Sequence, residues 1–102
     1  MEVISVPSKR PSETVPITVD FNNVIGTNEI LLAATSVIVG SGEDPSPDDI
    51  LSGAVTISGS KVTQSITAGM AGVIYKVYFS VTAANGAFIK YCNLAVVSDL
   101  RF

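Results

Sequence analysis

The sequence predicts an all-β protein: an antiparallel β-sandwich of six to seven strands with one short helical turn. Three observations carry this. Apolar and polar residues alternate with a period of two through several segments, clusters of Gly, Asn and Pro separate those segments, and no stretch carries the 3.6-residue period of an amphipathic helix. The 102 residues make a chain about one domain long, and 47% hydrophobic content against 15% charged content is enough to build a core.

Residues 1–14 carry Pro7 and Pro11 with Ser8, Lys9, Arg10 and Ser12 around them. Proline has no ladder donor, so this stretch is expected as an extended N-terminal arm rather than a central strand. Val3, Ile4 and Val6 make it more apolar than a free tail normally is, and they are candidate partner contacts. The sandwich is expected over residues 15–97, with 98–102 as a C-terminal tail. Val15, Ile17, Val19 and Phe21 alternate with Pro16, Thr18 and Asp20, which marks a half-buried strand, and Pro16 assigns it to a sheet edge. Residues 22–28, with three asparagines and Gly26, read as a turn. Residues 29–39 read as a strand without clean alternation, either buried on both sides or carrying a bulge, so its inward face stays open.

Residues 40–51 read as a loop with one helical turn, in which Ser46 caps, Pro47 takes the first position, and Asp48 and Asp49 complement the positive helix end. Residues 54–57 form a short strand with Val55 and Ile57 on one face, and Ser58-Gly59-Ser60 turns the chain. Over residues 61–67, Val62, Gln64 and Ile66 alternate with Lys61, Thr63 and Ser65. Gly69 and Gly72 bracket the next turn. A long strand then runs over 73–84, with Tyr75, Val77, Phe79 and Val81 inward and Lys76, Tyr78, Ser80 and Thr82 outward. Asn85-Gly86 is the strongest hairpin signal, as the central pair of a type I′ turn. Residues 87–97 return antiparallel, with Cys92, Leu94 and Val96 inward. Among sandwiches the immunoglobulin-like type fits best, although the tryptophan and paired cysteines of antibody domains are absent; a small closed barrel is the alternative.

The chemistry is sparse. There is no histidine, so no Ser-His-Asp or Cys-His arrangement can form, and the chain is expected not to be an enzyme. Cys92 is the only cysteine, which rules out an intrachain disulfide; on an apolar strand face it is expected as a buried small hydrophobe. No catalytic, cofactor or metal site is expected. Glu43, Asp44, Asp48 and Asp49 gather acidic groups but lack the spacing and glycine of a calcium loop, so capping and solubility account for them. A net charge of -3 gives no electrostatic reason to bind nucleic acid. The longest apolar-leaning run, residues 30–39, falls short of the ~20 residues a membrane helix needs, and the N-terminus lacks the order of a secretory signal. Neither nucleic acid nor membrane is expected as a partner. Tyr78 and Tyr91, on the outward face, fit either an interface or a cross-strand pair that stabilises the sheet. Leu100 and Phe102 in the tail complete the candidate contacts, docking on the domain or on a neighbour.

The stretch from Lys9 to Phe21, KRPSETVPITVDF, followed by Val24-Ile25-Gly26, resembles the opening of the phage fibre–tail adaptor family. That family shows a Lys-x-Pro start, an acidic residue, then Val-Asp and an aromatic. The stretch from Ser52 to Val97 is similar as well, with Gly69, Gly72, Tyr75, Val81, Thr82 and Gly86 at the family's turn and strand-end positions. At Phe21-Asn22-Asn23 the chain departs from the many relatives that carry tryptophan. The resemblance implies a structural virion protein of a tailed phage, an adaptor joining tail or neck to fibres. Its implied partners are other virion tail, neck and fibre proteins, with multiple copies around a ring. It would be made and assembled in the host cytoplasm and located in the virion. The competing expectation is a free-standing immunoglobulin-like binding module, an adhesin or a receptor- or carbohydrate-recognition domain.

Overall fold

The computed structural model describes residues 2–4, 6–39 and 44–97, the first three by their backbone. Among the described residues, seven strands form two sheets. The strands are β1 (Glu2–Ile4), β2 (Val15–Asp20), β3 (Ile30–Ile38), β4 (Leu51–Ser58), β5 (Lys61–Ile66), β6 (Ile74–Ala83) and β7 (Gly86–Ala95). One sheet has the order β1-β7-β6-β3 and the other β2-β5-β4. All pairings are antiparallel except that of β1 with β7.

The alternation does its expected work. Ile17 and Val19 from β2, Val62 and Ile66 from β5, Tyr75, Val77, Phe79 and Val81 from β6, and Cys92 and Leu94 from β7 meet in one core between the sheets. The inward sets expected for these strands are the buried ones. Gln64 is buried with them, and its amide is satisfied by donating to the carbonyls of Ser52, Gly53 and Ser65 while accepting from Thr35 Oγ1. Pro16 lies in β2, which is an edge of its sheet. No ladder partner is lost there.

Several elements differ from the expectations. Residues 22–25 form α1 (Asn22–Ile25), a single helical turn that buries Ile25 and ends at Gly26 with φ 61°. The expected helical turn is a 3-10 turn at Pro47–Ile50. Proline opens it and Asp48 and Asp49 lie in it, but Ser46 makes no side-chain cap. The strand expected at 54–57 runs from Leu51 to Ser58, and its pairing with β5 is irregular between Ser52 and Thr56, where Gly53 takes φ 72°. Val55 there is half-buried and Ile57 is exposed.

The β6–β7 hairpin also needs correction. Ala83 pairs with Gly86, so the two loop residues are Ala84 and Asn85 rather than Asn85 and Gly86. Neither has positive φ, which excludes a type I′ turn, and the positive φ falls on Gly86 at 141°. Asn85 instead reaches sideways, donating from Nδ2 to the Val24 carbonyl at 3.0 Å and tying the hairpin tip to α1.

The segment before Val15 enters the sandwich at two places. β1 lies parallel on β7, with Glu2 opposite Lys90, Val3 opposite Tyr91 and Ile4 opposite Cys92. Further on, Lys9 bridges to Val96 and is 1% exposed.

Candidate docking surfaces

The strongest chemical feature is the outer face of the four-stranded sheet. Tyr78 and Tyr91 sit directly opposite each other on β6 and β7, so they share that face. Their rings stack with centroids 5.2 Å apart and 19° between planes. Lys76 Nζ lies 6.0 Å from the Tyr91 ring centre, within reach of a cation–π contact. Both tyrosines are half-buried.

Around the pair lie exposed aliphatic residues. Ser80 on β6 is opposite Ile89 and Ala34, and Lys76 is opposite Asn93 and Ile38, which puts Ile38 and Ile89 on the same face. Ile74 and Leu32 join them, and all four are exposed. Scattered exposed aliphatics are normal, whereas here four of them lie around a tyrosine pair on one sheet face. These four were not singled out from sequence. Period-two counting from Tyr78 places Ile74 on this face, and the same count from Tyr91 finds Ile89. For Leu32 and Ile38 the signal is hidden, because the pairing of β3 shifts between Ile30 and Leu32.

The second surface is the arm. Lys9 fixes its root. The Lys9 N–H donates to the Ala95 carbonyl at 3.1 Å, and the Lys9 carbonyl accepts from Val97 N–H at 2.8 Å. Nζ donates to the carbonyls of Ala68 at 2.5 Å and Arg10 at 2.6 Å. Next to it, Arg10 and Glu13 close a reciprocal turn, Arg10 N–H to Glu13 Oε1 at 2.7 Å and Glu13 N–H to the Arg10 carbonyl at 3.0 Å. Val6 is half-buried against the core and lines a groove with Pro7, Val15, Pro16, Ile17 and Leu94. Of the candidate contacts, Val3 and Ile4 therefore lie in the β1 backbone, Val6 rests against the core, and Tyr78 and Tyr91 are brought together. Leu100 and Phe102 lie outside the described residues.

Two buried lysines escaped sequence reasoning. Besides Lys9, Lys90 points inward from β7, where Nζ donates to the Asp20 carbonyl at 2.8 Å and Asn23 Oδ1 at 2.6 Å and sits 5.3 Å from the Phe21 ring centre. Position parity alone could have found it, since Lys90 shares the phase of Cys92 and Leu94. The acidic group is also partly structural. Asp44 Oδ2 accepts from the Tyr75 hydroxyl at 2.7 Å, Asp44 Oδ1 accepts from Ser46 N–H at 2.9 Å, and the Tyr75 oxygen accepts in turn from Met70 N–H at 2.7 Å. Glu43 lies outside the described residues. No group of three or more metal-ligating side chains occurs among the described residues, and no helix among them is long and apolar enough to cross a membrane. Cys92 is buried, and burial pushes its thiol up to about 11.

Comparison with known proteins adds two findings. A family model described as "Podophage GP4 fiber-tail adaptor protein gp77" matches residues 9–92. Among solved structures, a chimeric titin Z1Z2 functionalised with an exogenous decorin peptide is similar, with a TM-score of 0.53 and 13% identity over 93% of this chain and 87% of that one. At that identity the likeness speaks for the fold alone, an immunoglobulin-like sandwich. Nothing matched among curated proteins.

Proposed function

This chain belongs to the podophage fibre–tail adaptor family, and from that membership we propose that it is a structural protein of a tailed-phage virion, joining the tail or neck to the fibres. The family match across residues 9–92 carries this reading. The role is non-enzymatic and works through protein–protein contacts, with several copies arranged around a ring. Small contacts suffice per copy, because a ring of linked copies raises the effective concentration of each contact.

Two surfaces serve the contacts. The outer sheet face offers the Tyr78–Tyr91 stack framed by Ile74 and Ile89 to a tail or fibre partner, since half-exposed tyrosines are enriched where interfaces form. The arm, carrying Val3, Ile4 and Val6, reaches a neighbouring subunit from its fixed root at Lys9, and Leu100 and Phe102 in the tail add a further contact. The short length of β1, three residues, supports an arm that exchanges partners at small cost.

The experiment is made in assembled particles. The protein is expected in purified virions; its absence there sinks the adaptor reading. A chain lacking residues 1–8 is expected to fold but to enter particles poorly, and normal incorporation with fibres in place refutes the role of the arm. Tyr78→Ser with Tyr91→Ser is expected to reduce fibre occupancy while leaving the fold intact, and full occupancy removes the sheet face from the proposal.

A further inference from the structure

A sheet edge is a row of unpaired backbone donors and acceptors, and soluble proteins protect such edges with charge, proline, irregularity or shortness. Three of the four edges here are protected in those ways. β2 carries Pro16 and Asp20, β1 is only three residues long, and β4 is irregular between Ser52 and Thr56 with Gly53 in the left-handed region. β3 differs. It has nine residues, ILLAATSVI, with no charge and no proline, and after the shift near Ile30 it is regular from Leu32 to Ile38. Among the described residues it pairs with β6 alone. Leu31 and Leu32 are each 65% exposed and Ile38 is 53% exposed, so this edge strand also holds three of the exposed large aliphatic residues.

We propose that the β3 edge is a homotypic contact, in which β3 of one copy pairs antiparallel with β3 of a second copy across a two-fold axis at Thr35. The sequence of the strand sets the register. With Thr35 opposite Thr35 of the second copy, Leu32 falls opposite Ile38, Ala33 opposite Val37 and Ala34 opposite Ser36. Leu32, Ala34, Ser36 and Ile38 share the outer face, as their pairing with Thr82, Ser80, Tyr78 and Lys76 requires. Each exposed Leu32 then covers an exposed Ile38, twice over, and no charge is brought near another. The contact is isologous, the same patch on both copies, as a two-fold interface demands. It also closes. The joined sheet has the order β1-β7-β6-β3-β3-β6-β7-β1, whose outer edges are the short β1 strands, so extension of the sheet stops at two copies and any larger assembly uses other surfaces. A segment of another protein would find no charge on this edge to select it. A second β3 finds the matching spacing of Leu32 and Ile38. The inference does not depend on the adaptor role.

Sedimentation of the purified chain tests it. A monomer–dimer equilibrium is expected between roughly 10 µM and 1 mM. Ala34→Lys places two ammonium groups on one face close to the axis and is expected to weaken the dimer at least about tenfold, with an unchanged circular dichroism spectrum. A chain that stays monomeric to about 1 mM overturns the proposal and leaves the edge to a different protein. A dimer indifferent to Ala34→Lys overturns it as well. Should Ala34→Lys fail to fold, crosslinking decides. Chains carrying Ala34→Cys and chains carrying Ser36→Cys, mixed under mild oxidation, are expected to join to each other in preference to themselves. Cys92 is 0% exposed and does not compete. No preferential joining overturns the register and the proposal with it.

Discussion

Two residues show how side chains of unpromising type are used in this core. Lys9 is buried with its ammonium bonded to backbone carbonyls, one of them Ala68, which sits at φ 52°, the one positive φ outside glycine among the described residues. A left-handed alanine costs roughly 1–2 kcal/mol, and the lysine clamp holds the turn in that state. Lys9→Met keeps the stem but strands the carbonyls, and is expected to destabilise by about 1–3 kcal/mol in urea unfolding. Ala68→Gly is expected to be neutral to stabilising, by up to about 1 kcal/mol, because the relief of strain is partly offset by chain entropy. A loss of stability in Ala68→Gly means that the turn is not strained. Cys92 gives a pH signature. Its folded thiol titrates at about 11 against 9.0 for the unconstrained group. Between those values the unfolded chain loses its proton first, so stability is full below pH 9.0 and falls as pH rises toward 11. Unfolding midpoints measured from pH 8 to 11 check this against Cys92→Ala, whose profile is expected to lack that share of the decline.

At the scale of elements, β6 was legible because it alternates over ten residues and buries one face completely, and the second half of β7 because Cys92 and Leu94 keep the same alternation and are buried. Phe79→Ala and Leu94→Ala are each expected to cost roughly 2–5 kcal/mol, and the exposed Lys61→Ala under about 0.5 kcal/mol. Denaturant midpoints that fail to separate them contradict the face assignment. The hairpin was located but misnumbered by one residue. Asn-Gly suggests a local turn preference, whereas the observed turn is fixed by Asn85 bonding to Val24 in a distant segment. Gly86 still needs its glycine, at φ 141°, and an added Cβ meets the Phe88 ring at 3.5 Å, an ordinary contact. Gly86→Val is therefore expected to destabilise through backbone strain rather than through a clash. β3 was the least legible strand, because a shift near Ile30 breaks the period that assigns faces. Of the candidate site, the tyrosine pair followed from alternation. The aliphatic frame around it and the buried Lys9 depend on which strands become neighbours, and a linear pattern does not state that.

The described residues form one core between two sheets, and three of the five strand pairings join segments distant in sequence. Only β4–β5 and β6–β7 are hairpins, whereas β2–β5, β3–β6 and β1–β7 close long loops. Such a topology folds slowly, on the order of milliseconds to seconds, since loop entropy is lost before the pairings form. The core cluster draws on both sheets, so neither sheet has a hydrophobic interior without the other, and unfolding is expected to be a single cooperative transition. Protection against hydrogen exchange is nevertheless expected to be graded. β6 lies between β7 and β3, and β5 between β2 and β4, so their amides face neighbours on both sides and should open only with global unfolding. β1 is three residues long and paired on one side, and its amides should exchange through a local opening that leaves the core intact. Lys9 marks the limit of that opening, since its backbone bonds to Ala95 and Val97 belong to the sandwich. Amide exchange read by peptide mass spectrometry should therefore step from fast to slow across Lys9, and the step should persist in Tyr78→Ser. Uniform slow exchange from residue 2 onward contradicts an arm that opens independently of the core.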